Sequence, residues 1–136
     1  EDLLQEASKQ ELDDPLHTLE TILSDTLAKL LHDRKRKRIH TILYHRCEWT
    51  EELDPVYQRM ISIKKSCHAS TLAFYEMAAK KQQLRPDLEP AHAAFLMQTF
   101  CQGFYWRTLL TPKDTNCNVD IRQALSVFFQ GVRKLK

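Results

Sequence analysis

The sequence predicts an all-α fold, a bundle of about five long helices after a short leading fragment. Three observations predict it. Apolar residues recur at spacings of three and four, and nothing alternates with period two. Glycine occurs twice in 136 residues, whereas Leu, Ala, Lys, Gln and Glu, which lose little entropy in a helix, are plentiful. Asp-Pro pairs stand where helices should start, each an N-cap carboxylate followed by a proline suited to the first turn.

Residues 1–13 are polar and acidic, with Leu3, Leu4, Ala7 and Leu12 as weak helical punctuation. They read as the tail of a helix that began earlier. Glu1 is not a natural start, which suggests a fragment or a processed piece. Asp14-Pro15 then opens a helix expected over 15–32, with Leu16, Leu19, Ile22, Leu23, Thr26, Leu27, Leu30 and Leu31 at helical spacing. A helix is expected over 34–49, carrying Ile39, Ile42, Leu43 and Trp49. Asp54-Pro55 opens a long one to about Leu84, with Tyr57, Met60, Ile61, Cys67, Thr71, Phe74 and Met77 inward. Asp87 and Pro90 open the next, which ends before Thr111-Pro112. Asn118 or Asp120 begins the last, with Ile121, Leu125, Phe128 and Val132.

Composition excludes several classes. The chain is one domain, large enough for a real core. Its 43% hydrophobic content excludes a disordered chain. No apolar run approaches the ~18 residues of a membrane span, and no signal peptide opens the chain. A net charge of +2 is too small to argue for nucleic acid. The basic run Arg34–Arg38 reads as a solvated turn facing Glu20, Asp25 and the acidic leader. Cys47, Cys67, Cys101 and Cys117 show no CxxC spacing, so buried, reduced thiols in a cytoplasmic protein are expected.

The stretch Ile42–Trp49, "ILYHRCEW", concentrates chemistry. A metal site fails on geometry: His40 and His45 are five apart, about 140° around a helix, and His45 and Cys47 also diverge. His92 with Glu89 has a ligand spacing but is a lone pair. A cysteine nucleophile lacks a base, since Cys67 and His68 point about 100° apart. There is no Gly-rich elbow, carboxylate pair or phosphate loop. The expectation is no enzyme, no metal and no cofactor.

A third reading is a pocket wall. His40, Leu43, Tyr44 and Cys47 share a helical face, as do Cys67, Ser70, Thr71 and Phe74, and as do Gln98, Cys101, Gln102, Tyr105 and Leu109. Apolar faces interrupted by single polar groups suit a small-molecule cavity. They also suit a core whose polar groups bond one another, and periodicity leaves both open. The opposite face of the 87–110 helix, Leu96, Phe100, Gly103 and Phe104, is apolar too, and so are neighbouring faces around Phe128 and Phe129. Such helices pair with copies in a second subunit or sit centrally in a monomer.

The motif "ILYHRCEWTEELDPV" resembles the I-L-[FH]-H-K-C-E-F-x-x-E-M segment of TetR-family repressors of the multidrug-efflux (AcrR/TtgR-like) branch. "KSCHAS" falls in register with a Cys-His pair of that branch. "KKQQLRPDLEPAHAAFLM" resembles its R-x-G-x-L-P-x-[DE]-L-x-x-x-x-A-A-x-x-M, and Gly103 matches a glycine of the next-to-last helix. The resemblance covers about 12–135. It implies an orthogonal bundle of the TetR C-terminal type, whose last two helices form a four-helix dimer interface. It implies that residues 1–13 lead to a helix-turn-helix head lying outside these residues. A ligand pocket is implied at Leu19, Ile22, Thr26, His40, Leu43, Tyr44, Cys67, Ser70, Thr71, Phe74, Gln98, Cys101, Gln102 and Tyr105, with His45, Arg46 and Glu48 bracing the helix or facing away. The implied interface is Leu96, Phe100, Gly103, Phe104, Arg107, Leu125, Phe128, Phe129 and Val132. Two departures matter. Gln102 stands where some members carry an acid that helps hold cationic drugs. Thr108 stands where the branch often has tryptophan, the nearest here being Trp106.

By this resemblance the chain is the inducer-sensing, dimerising domain of an efflux-pump repressor. A lipophilic inducer and a second copy are its partners, and operator DNA is met only through the head. The competing reading is a solid-core helical module that binds a protein.

Overall fold

The computed structural model describes residues 2–110 and 120–136. Thr111, Pro112, Cys117 and Asn118, named above, lie outside them. Among the described residues six helices follow in order: α1 Asp2–Ser8, α2 Pro15–His32, α3 Arg34–His45, α4 Asp54–Lys80, α5 Pro90–Leu110 and α6 Ile121–Val132. A 3₁₀ turn, Glu51–Leu53, precedes α4. There is no strand among the described residues.

Local chemistry sets the helix ends. The Asp14 carboxylate accepts from the His17 amide at 3.0 Å, with Pro15 in the first turn of α2. Asp33 works twice. Its amide donates to the Leu30 carbonyl at the end of α2, and its carboxylate accepts from the Arg36 amide at 3.0 Å to start α3. Asp120 starts α6 by accepting from Arg122. The other two expected caps differ. Asp54 is itself helical, because the 3₁₀ turn already feeds α4. Asp87 instead grips the Arg85 guanidinium through two 2.7 Å bonds, and α5 starts at Pro90.

Two helices are shorter than expected. α3 stops at His45 rather than Trp49, and Trp49 folds onto Tyr57, ring centroids 5.3 Å apart. Tyr57 is therefore largely exposed rather than inward. α4 stops at Lys80 because Gln82 adopts a left-handed φ of 58°. The Gln82 amide then reaches the Ala79 carbonyl and the Gln83 amide reaches Ala78, a Schellman end usually built on glycine.

The core lies between α1, α2, α4, α6 and the first half of α5. Leu16, Leu19, Phe74, Tyr75, Ala78, Ala93, Ala94, Met97, Leu125 and Phe129 fill it. The chain end is tied back. The Arg85 amide donates to the Val132 carbonyl, the Lys134 amide to Gln83, and the Arg133 guanidinium pairs with Asp14 at 3.2 Å. Arg122, not the Arg34–Arg38 run, is the partner of Asp25, at 2.8 Å, and within the run Arg36 pairs with Asp33 at 3.4 Å.

Candidate functional site

α3 differs from the other long helices in burying none of its residues. It lies against the second half of α5 through ring contacts rather than a filled core. The His40 ring meets Tyr105 edge-on at 5.4 Å and Tyr44 at 5.7 Å. One turn on, His45 meets Trp106 at 5.0 Å, so it braces α3 on α5. The His45 Nε2 atom is buried without a hydrogen-bond partner among the described residues.

This loose seam leaves a cleft of about 380 Å³, lined by Tyr44 of α3, Lys64 of α4 and Thr99, Gln102, Gly103, Tyr105 and Trp106 of α5. Residues 99, 102, 103 and 106 recur at helical spacing, which is why one helix supplies most of the wall. A Cβ at Gly103 would meet nothing within 4 Å, so the glycine widens the opening. The Lys64 ammonium lies 5.6 Å from the Tyr44 ring centroid. A shallower groove of about 390 Å³ continues from Lys64 and Gln102 along Ile61, Lys65, His68 and Gln98.

The polar groups are held in place. Tyr105 and Nδ1 of His40 are hydrogen-bonded at 2.5 Å. Burial, reinforced by nearby Arg36, lowers the His40 pKa and favours the neutral imidazole. Burial, with Tyr44 and Asp33 nearby, pushes the Tyr105 phenol up to about 12. A protonated phenol beside a neutral imidazole lets the Tyr105 hydroxyl donate to Nδ1. Gln98 is committed to α4: its Oε1 meets His68 at 3.1 Å and its Nε2 donates to the Lys64 carbonyl. The Thr99 hydroxyl donates to the Phe95 carbonyl. Cys101 is packed against the core with its thiol bonded to Met97, and burial pushes its pKa up to about 12, far from a reactive thiolate. No group of three or more His, Cys, Asp or Glu residues is placed to hold a metal among the described residues.

The fourteen expected pocket positions therefore separate. Tyr44, Gln102 and Tyr105 line the cleft, Gln98 lines the adjoining groove, and His40 backs the wall through Tyr105. Leu43 and Cys67 are half-buried and outside the cleft lining, and Thr26 is exposed on α2. Leu19, Ile22, Ser70, Thr71 and Phe74 are buried in the bundle interior rather than on the cleft. Lys64 and Thr99 were not among the expected residues, Trp106 was named only as the tryptophan nearest the Thr108 position, and Gly103 was assigned to the subunit interface. The signal was present: extending the 102–103 face by one turn each way reaches Thr99 and Trp106, and extending the Cys67–Thr71 face back reaches Lys64. The interface set needs correction. Leu125, Phe129 and Val132 point into the chain's own core and are 5% exposed or less, so they offer no surface to a partner. Leu96, Gly103 and Arg107 are exposed, while Phe100, Phe104 and Phe128 are partly so and pack on the core edge, the rings of Phe100 and Phe128 meeting at a tilt with centroids 5.2 Å apart.

An aromatic cleft on the side of a helical bundle has the form of a small-molecule site. Residues 14–131 match the C-terminal region of the MAATS-type transcriptional repressors, and the chain belongs to that family, within the TetR repressors expected from its "ILYHRCEW" motif. It is similar to the HTH-type transcriptional regulator TtgR of Pseudomonas putida (strain DOT-T1E), 29% identical over 90% of this chain and 59% of that protein. The probable HTH-type regulator ArpR of Pseudomonas putida is also 29% identical, over 85% of this chain and 55% of that one. Among solved structures, NalD of Pseudomonas aeruginosa, the secondary repressor of the MexAB-OprM multidrug efflux pump, superposes with a TM-score of 0.76 at 26% identity. That match covers 89% of this chain and 61% of NalD. The chain thus spans somewhat more than half the length of these relatives, which are regulators and not enzymes. No described helix is long and apolar enough to cross a membrane.

Proposed function

We propose that the chain senses the inducer and dimerises for a cytoplasmic repressor of a multidrug efflux pump, and that a lipophilic aromatic compound enters the α3–α4–α5 cleft. The observation that carries this reading is a cleft walled by a helix with no buried residue of its own. Such a helix is held by few apolar contacts and can shift at low cost. Inducer bound between Tyr44 and Trp106 would favour one position of α3. α3 is joined to the C-terminal end of α2 through Asp33 alone, so its movement would act on α2 as a whole and through it reach a head beyond α1. A ligand achieves this only through different affinity for the two arrangements. The surface proposed for the second subunit is the exposed strip around Leu96, Phe100, Phe104, Arg107 and Phe128, flanked by Val127, which is 66% exposed.

Thermal melting with chemically varied aromatic compounds tests the reading. A compound held ~100-fold above its dissociation constant adds about 2.7 kcal/mol of stability. Tyr44→Ala should abolish that shift while leaving the unliganded melting temperature nearly unchanged, because Tyr44 is 37% exposed. No shift with any compound would favour a solid-core interaction module instead.

A further inference from the structure

The charge of the cleft narrows the chemistry of its ligand. Lys64 is the only formally charged residue among the described residues that line it. Its ammonium is held near the α3 wall by the Tyr44 ring. The adjoining groove adds Lys65 and His68 and no carboxylate. Asp33 acts on Tyr105 and His40 from its capping position, but its carboxylate is engaged by the Arg36 amide and guanidinium, and Arg36 opposes its effect on both groups. The remaining lining is uncharged: Tyr44, Tyr105 and Trp106 supply rings, and Thr99, Gln102 and Gly103 make up the rest.

We propose that this cleft selects aromatic compounds bearing an anionic group, a carboxylate or an ionised phenol, with a ring lying between Tyr44 and Trp106 and the anion on Lys64. The inference rests on the cleft being the inducer site and adds its charge preference. A cationic drug would meet Lys64 with like charge and find no described carboxylate in the lining to offset it.

Calorimetric titration of the 136-residue chain with para-phenylbenzoate, para-phenylbenzamide and para-phenylbenzylammonium tests it, since the three share a ring system and differ in charge. The carboxylate should bind about fivefold tighter than the amide, with the ammonium weakest. Lys64→Gln should remove the carboxylate's advantage over the amide, Lys64→Arg should retain it, and raised salt should narrow it. Gly103→Leu fills the opening without a steric clash at Cβ and should abolish binding of all three. Equal affinity for carboxylate and amide, or a preference that survives Lys64→Gln, would overturn the charge selection yet leave the cleft as the site. Binding of none of the three, or binding indifferent to Gly103→Leu, would overturn both.

Discussion

α2 and α3 follow one another across a single residue, both start on an aspartate cap, and they behave oppositely. α2 buries Pro15, Leu16, Leu19, Ile22, Ser24 and Leu27, whereas α3 buries nothing and leaves Ile39 and Ile42 almost half exposed. Burial pins a helix by the area it removes from water, about 25 cal/mol per Å² of apolar surface. α2 is pinned that way on α4 and α6. α3 is positioned by rings and by one histidine–tyrosine hydrogen bond, contacts that can exchange for a ligand's. The lesson is a division of labour: a filled apolar core holds one end of the bundle, while α3 meets the second half of α5 through the rings of His40, Tyr44, His45, Tyr105 and Trp106.

Core substitution should separate the two regions most sharply. Phe74 is fully buried against the α2 side of the bundle, so Phe74→Ala should cost about 3–5 kcal/mol in denaturant unfolding. Ile42→Ala on α3 should stay within about 0.5 kcal/mol. A similar cost for both would break the contrast.

The next effect concerns how α2 is anchored. Partial burial disfavours the Asp14 carboxylate, but the His17 amide and Arg133 outweigh it and leave its pKa below the ordinary 3.8. A lowered carboxylate pKa stabilises the fold above the unfolded-state value and loses that contribution as pH falls through the folded one. Asp14→Asn should therefore lose the charge-dependent part of the cap, up to about 1 kcal/mol at pH 7. The difference from the parent should close below pH 3.8 in acid-unfolding curves.

The smallest effect tests whether the packed end is packed throughout. Tyr75 is fully buried, and its hydroxyl has no partner among the described residues. Burial, with Cys101 beside it, drives its pKa well above the ordinary tyrosine range. Tyr75→Phe removes an unsatisfied donor at nearly constant volume and should leave stability equal or raise it by up to about 1 kcal/mol by thermal melting. A clear loss would mean the hydroxyl is bonded in solution.

The helices α2, α3 and α6 and the caps of α2 and α6 were legible from the sequence because Asp at an N-cap and three-four spacing are local signals, whereas Asp33, which caps α3, was not read as a cap. The early end of α3 was not legible, since Trp49 leaves the helix for a ring on α4. Nor was the end at Lys80, where a glutamine takes the conformation a glycine would announce. For the site, the faces carrying Tyr44, Gln102 and Tyr105 were found from spacing. The same spacing could not say that Leu19 and Phe74 close on each other's neighbours in a filled core, because apolar faces look alike whether they line a cavity or fill one. Leu125, Phe129 and Val132 misled for the same reason: a helix apolar on several faces has more than one way to bury them.

The central claim is that Trp106 stands at a ligand site and the α2 core does not. The sequence has two tryptophans, so Trp49→Phe leaves Trp106 as the sole reporter. Its fluorescence would be titrated with unrelated aromatic compounds, in that background and with Gly103→Leu added. The account predicts saturable quenching by several compounds, abolished when Gly103→Leu fills the cleft. A flat response to the whole panel, or quenching that Gly103→Leu does not alter, would contradict it.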